Sequence, residues 1–180
     1  MRPTPMAFMV CTALVLASAA QAASSWVYFG TPAKDAARGI YVAKLDEGTG
    51  VLSAATRAAD KPDSEFMAFA PDGKHLYALA EVPMAGSGPA DAIETYATDT
   101  ATGALTPVGE QVAGGTGDCH LSVDPSGRCV LTANYNHAYV EVFPILPDGT
   151  VGARTCKVPF SGSGPNRSRQ ESAHAHSINV

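Results

Sequence analysis

Apolar and polar positions alternate along much of this chain, and the alternation breaks at short intervals on turns rich in Gly, Pro, Asp and Ser. That is the pattern of short β-strands joined by tight turns. Two stretches carry one layout about 54 residues apart, residues 66–81 (FMAFAPDGKHLYALAE) and 120–135 (HLSVDPSGRCVLTANY), and a third copy begins at His174. Each joins an alternating apolar strand to a Pro-x-Gly turn (Pro71-Asp72-Gly73, Pro125-Ser126-Gly127) and a second strand rich in Leu, Val and Tyr, the composition of a β-hairpin. A second kind of hairpin alternates with the first, in residues 39–52 (GIYVAKLDEGTGVL), 92–105 (AIETYATDTATGAL) and 138–151 (AYVEVFPILPDGTV). Two hairpins recurring at a period near 50 residues make four-stranded units, so the pattern predicts an all-β fold, a β-propeller rather than a helical solenoid.

The strand count predicts only part of a propeller. The first unit, from Trp26 to about Thr56, shows three strands and lacks the innermost one, two units show four each, and residues 172–180 supply one strand of another. Propellers close with about 4 to 8 blades, and an open series leaves sheet edges that invite aggregation. The chain therefore reads as the N-terminal part of a longer propeller, whose distant C-terminus would supply the missing inner strand. Poor stability is expected for these residues alone.

Residues 1–22 read as a secretory signal: a basic start at Arg2, an apolar run over residues 6–20 and the cleavage site Ala20-Gln21-Ala22. The apolar run is short for a membrane span, and Cys11 follows the bulky Met9 and Val10 rather than the small residue a lipid-attachment cysteine needs. The propeller domain is thus residues 23–180, exported to the periplasm or the medium. The 12 basic residues against 17 acidic ones include no basic run, which argues against nucleic acid as a partner. Three cysteines follow the signal, Cys119, Cys129 and Cys156. The hairpin register sets Cys129 across from Val123 rather than Cys119, so small buried thiols are expected rather than a bridge.

The densest polar cluster is residues 162–177 (GSGPNRSRQESAHAHS), which packs Arg167, Arg169, Gln170, Glu171, His174 and His176 together. In extended backbone, residues two apart face the same way, so His174, His176 and Ile178 share one face and Ala173, Ala175 and Ser177 the other. Imidazoles on one face and small residues on the other suit an inner strand lining a channel, and this many ionisable groups are costly to bury without partners. His120 opens the inner strand of the preceding unit, where Phe66 stands one blade earlier, so it can converge with the cluster. Other features weigh less. Gly114-Gly115-Thr116-Gly117 has neither the Lys-Ser/Thr nor the helix of a phosphate-cradling loop, no Gly-x-Ser-x-Gly elbow is present, and His75 and His137 flank turns and read as solvated. Glu171 with His174 and His176 could start a divalent-metal site, but the remaining ligands would have to come from outside this chain; no metal or cofactor is expected.

These same stretches, SGSGPNRSRQESAHAHSINV, GDCHLSVDPSGRCVLTANYN, FMAFAPDGKHLYALAE and GIYVAKLDEGTGVLS, resemble the lactonase family of seven-bladed propellers, which includes the propeller-type 6-phosphogluconolactonase and the carboxymuconate-lactonizing enzyme. The resemblance spans nearly all of residues 23–180 and implies about three of seven blades. It implies hydrolysis of a small-molecule lactone of a sugar acid, with His120 as general base, Arg169 stabilising the oxyanion, and Arg167, Glu171, His174 and His176 lining the substrate pocket. The residues the family carries on later blades have no counterpart here, so this stretch alone is expected to be inactive. An exported member would act on an unphosphorylated lactone or a related cyclic compound, since the phosphorylated lactone is made in the cytoplasm. Two alternatives remain: a non-catalytic propeller that binds a ligand or protein at its mouth, and a metal-dependent sugar lactonase.

Overall fold

The computed structural model of the chain describes residues 23–31, 37–60, 66–86 and 88–180. The proposed signal segment, residues 1–22, lies outside them. Three antiparallel sheets follow one another along the chain. The first contains β1 (Ser24–Thr31), β2 (Gly39–Asp46), β3 (Val51–Leu52) and β4 (Thr56–Ala59); the second β5 (Met67–Phe69), β6 (His75–Met84), β7 (Gly88–Thr98) and β8 (Leu105–Val112); the third β9 (Asp118–Val123), β10 (Cys129–Asn134), β11 (Tyr139–Pro144) and β12 (Cys156–Pro159). The second and third sheets are simple meanders in chain order. In the first, β3 and β4 both pair with β2, so they form one interrupted outer strand and the sheet has three strand positions. This is the incomplete blade that the strand count predicts.

The turns form where the repeat puts them, and side-chain chemistry explains why. Gly73 and Gly127 take φ of 68° and 69°, the left-handed region open to glycine, and their N–H groups donate to Ala70 and Asp124 carbonyls. Asp124 also accepts from the N–H groups of Ser126, Arg128 and Cys129, an Asx-type closure of the turn. This shifts the expected register by one: Val123 pairs with Val130 rather than Cys129, because Asp124 takes Cys129 as its own partner, its N–H donating to the Cys129 carbonyl and its side chain accepting from the Cys129 N–H. Against the expectation of buried thiols, Cys119 and Cys129 are half-buried and Cys156 is exposed, because β12 is an outer strand with every residue exposed.

Packing between blades explains which strands lose their alternation. On β6, Leu76 and Ala78 join Ile40, Tyr96 and Leu105 in a core between the first and second blades. The intervening Tyr77 and Leu79 join Ile93, Leu121, Val130 and Phe143 in a core between the second and third. A middle blade is covered on both faces, so both sets of alternate residues must be apolar. Three hydrogen bonds tie neighbouring blades through buried or half-buried aromatic residues: Trp26 Nε1 to the Thr100 carbonyl at 3.0 Å, Tyr28 hydroxyl to the Gly103 carbonyl at 2.9 Å, and Tyr77 hydroxyl to the Gly149 carbonyl at 2.9 Å. His75, expected to be solvated, is half-buried over Gly149, where even a Cβ would strike its ring; His137 is exposed.

Residues 172–180 depart from expectation in one respect: they join no ladder and form no strand. An inner strand pairs with the strand next in sequence, as β5 does with β6 and β9 with β10. The segment instead lies beside β9, held by side-chain contacts.

Candidate active site

The site grows from the start of β9. A β-bulge there sets Asp118 opposite Asn134 and His120 opposite Ala133, with Cys119 as the extra residue, and bulges of this kind re-aim side chains. Contacts from Cys119, His120 and Tyr135 then dock the segment after residue 172. The Cys119 thiol approaches the carbonyls of Ala175 and His176 at 3.7 and 3.6 Å, and the Ile178 N–H donates to His120 Nδ1 at 3.3 Å. The His174 Nδ1–H donates to the Tyr135 carbonyl at 2.9 Å.

Tyr135, the last residue of the second hairpin copy, organises the imidazoles. His174 stacks on its ring with centroids 4.2 Å apart and planes 13° apart, and His176 meets it edge-on at 5.4 Å and 86°. Both histidines therefore lie on one side of the segment, as alternation predicts. Across the site the His120 ring packs against Phe66 at 4.3 Å, so the equivalent inner-strand starts of neighbouring blades do meet. Burial, and then the neighbouring His176, hold the His120 imidazole below its usual range.

Arg169 is presented by a loop that closes on itself. The Asn166 carbonyl accepts from the N–H groups of Arg169 and Gln170, the Gln170 carbonyl accepts from Gly164 N–H, and Gln170 Oε1 accepts from Asn166 N–H. The exposed Arg169, with His176, Tyr135, Cys119, Asp118, Asn136 and Gly117, lines an open groove of about 520 Å³. Of the residues singled out from the sequence, Arg169 and His176 line the groove itself, while His174 stacks on Tyr135 of its wall and His120 stands beside the same segment through Ile178. Glu171 reaches the site through His174, with Oε1 3.5 Å from Nε2. Arg167 is exposed on the same loop and does not line this groove. Among the described residues no three His, Cys, Asp or Glu side chains cluster as a metal site.

Sequence reasoning missed two acids beneath the groove. A second groove of about 450 Å³, lined by Glu81, Asp91, Thr116 and others, shares Gly117, Asp118 and Asn136 with the first. Asp91 and Asp118 are each only 8% exposed. Asp91 Oδ2 accepts the Asp118 N–H at 2.7 Å, and Asp118 Oδ1 accepts from Asn134 Nδ2 at 2.7 Å. Burial raises the Asp118 carboxyl to about 7, and repulsion from Asp91 and Glu141 adds to it although the Asn134 amide acts against it. Burial likewise raises Asp91 to about 6. For Asp118 the available signal was its place at the start of an inner strand.

These shifts have a sign that can be measured. In the unfolded chain both acids ionise near the ordinary aspartate value of 3.8, whereas burial in the fold keeps Asp91 protonated to about 6 and Asp118 to about 7. Their protonated forms therefore contribute stability fully below about pH 4, and that contribution is lost as pH rises toward 7. Thermal midpoints of the full-length protein between pH 4 and 8 should fall less steeply for Asp118→Asn than for wild type. Equal slopes would mean that Asp118 ionises as an ordinary surface acid.

The family model described as "Lactonase, 7-bladed beta-propeller" matches residues 26–180. The chain belongs to this lactonase family. It is 33% identical over 149 residues to a 6-phosphogluconolactonase of Bacillus subtilis (strain 168), a match covering 83% of this chain and 41% of the relative. A candidate 6-phosphogluconolactonase from Bacteroides fragilis has a crystal structure that superposes with TM-score 0.73 at 28% identity, over 84% of this chain and 40% of that one. The structure of a periplasmic gluconolactonase from Pseudomonas aeruginosa gives TM-score 0.74 at 22% identity, over 88% and 44% of the two chains, a likeness of fold. The chain thus spans about two fifths of the length of these lactonase relatives, in keeping with three blades of a seven-bladed fold.

Proposed function

We propose that this chain contributes the catalytic mouth of a lactonase that hydrolyses the cyclic ester of a sugar acid. The observation that carries this reading is the pairing of His176 with Arg169 on one groove, with His174 stacked on Tyr135 of its wall and His120 held beside it by Ile178, in a chain whose relatives include 6-phosphogluconolactonases. Hydrolysis needs a base to take a proton from water and a positive or hydrogen-bonding group for the oxyanion. A histidine titrates near neutrality and suits the first task, and a guanidinium suits the second or holds a substrate carboxylate by a paired hydrogen bond. This chemistry requires no metal. The leader-like residues 1–22 support export, and with it an unphosphorylated substrate.

The test is a panel of sugar lactones offered to the full-length protein, with acid release followed by pH-stat in the presence and absence of EDTA. Turnover that EDTA leaves unchanged is expected. Loss of turnover with EDTA would point to a metal-dependent lactonase, and binding without hydrolysis to a non-catalytic propeller. Intact mass of the exported protein beginning at Ala23 is the expected result for the leader.

A further inference from the structure

The three imidazoles at the mouth differ in what their hydrogen bonds allow them to do with a proton. A backbone N–H only donates, so the bond from Ile178 N–H to His120 Nδ1 leaves that nitrogen unprotonated and puts the ring proton of neutral His120 on Nε2. Such a ring can give a hydrogen bond through Nε2 but cannot accept water's proton there. A carbonyl oxygen only accepts, so His174 Nδ1 carries a proton for Tyr135, and its Nε2 faces the Glu171 carboxylate. Both nitrogens of His174 are committed. His176 differs: among the described residues its ring makes no hydrogen bond, and it is exposed in the groove beside Arg169. Its position is nonetheless fixed, by the edge-on contact with Tyr135 and by the Cys119 thiol on its carbonyl.

Resting on the lactonase reading above, we propose that His176 is the base that takes the proton from the attacking water, and that His120 serves as a hydrogen-bond donor to the lactone carbonyl oxygen. As the water oxygen bonds to the carbonyl carbon, one water proton passes to His176 and the C=O electron pair moves onto the carbonyl oxygen. That oxygen receives hydrogen bonds from His120 Nε2–H and from Arg169. When the carbonyl re-forms, the bond from its carbon to the ring oxygen breaks and His176 returns its proton to that oxygen, giving the open hydroxy acid, which ionises to solvent. His120 lies close enough to His176 for their charges to interact. A neutral His120 therefore leaves the site with one transient imidazolium rather than two.

Glutamine separates the two roles, because its amide keeps a donor but cannot take a proton at neutral pH. In the full-length protein with glucono-δ-lactone, corrected for spontaneous opening, His176→Gln is expected to lower kcat by about 100-fold or more and to remove the acid limb of the kcat/KM profile. His120→Gln is expected to stay within about tenfold of wild type and keep that limb. The reverse pattern overturns the assignment. Nitrogen NMR of the unmutated protein gives a second readout that needs no variant: His120 should carry its proton on Nε2 at neutral pH, and a proton on Nδ1 overturns the proposal. A wild type inert to every lactone, with His120 still on the Nε2 tautomer, would sink the lactonase reading instead, and the catalytic role with it.

Discussion

Truncating Phe143 to alanine in the full-length protein should lower its unfolding free energy by about 3–5 kcal/mol. The side chain is 0% exposed and shares a core with Tyr77, Leu79 and Ile93 of the second blade and Leu121 and Val130 of its own. Two effects add in such a site: the lost transfer of an aromatic ring out of water, and a cavity that rigid neighbours fill only partly. The neighbours here are rigid because strand ladders hold them on both sides, with β10 pairing β11 residue for residue from Cys129–Pro144 to Asn134–Tyr139. Denaturant midpoints at constant m-value would measure the change. A loss below about 1 kcal/mol would mean that the two blades close over the gap, as a loosely packed interface can.

The second large effect falls on activity. Arg169→Ala is expected to lower kcat/KM for a sugar lactone by about 10²–10³-fold, the usual consequence of removing one oxyanion donor. Stability should hardly change, because Arg169 is exposed and its loop is closed by Asn166 and Gln170 rather than by its own side chain. Arg169→Lys should recover little, since a point charge on a flexible stem does not reproduce the planar fork. Wild-type turnover in the lysine variant would remove Arg169 from the chemistry and leave it a surface residue of the loop.

Much of the fold is legible in the sequence, for local reasons. The Pro-x-Gly turns are legible because Gly73 and Gly127 occupy left-handed backbone that few other residues tolerate. The incomplete first blade was legible because strands alternate with turns at a countable interval, and β1, β2 and the interrupted β3–β4 path fill three positions. Where the reading slipped, a side chain had intervened. Asp124 takes Cys129 as its partner at the end of the hairpin and moves the register by one residue, and an aspartate at a turn announces neither of those effects by its spacing. The departure at residues 172–180 has another origin: extended character is local, but a ladder needs a partner strand.

The site divides in the same way. The repeat placed His120 and the His174–His176 pair at equivalent inner positions of neighbouring blades, and equivalent positions of a propeller face one axis; that sufficed to predict convergence. It did not reveal Tyr135 as the ring both histidines pack on, because the contact joins residues 39 and 41 apart in sequence. Nor did it reveal Asp91 and Asp118, whose raised carboxyls depend on what covers them. A polar residue in an alternating strand reads as solvent-facing until a second blade is laid against it.

By itself, then, the sequence determined the period, the turns, the blade count and the family, all of which depend on backbone preferences and on residues close together in the chain. Only the tertiary structure decided which histidine ring, among the described residues, makes no hydrogen bond, which acids are buried and which arginine lines the groove. Those properties depend on burial and on hydrogen bonds between distant residues, such as Ile178 to His120, and no local pattern encodes which donor will stop opposite which acceptor once the blades pack.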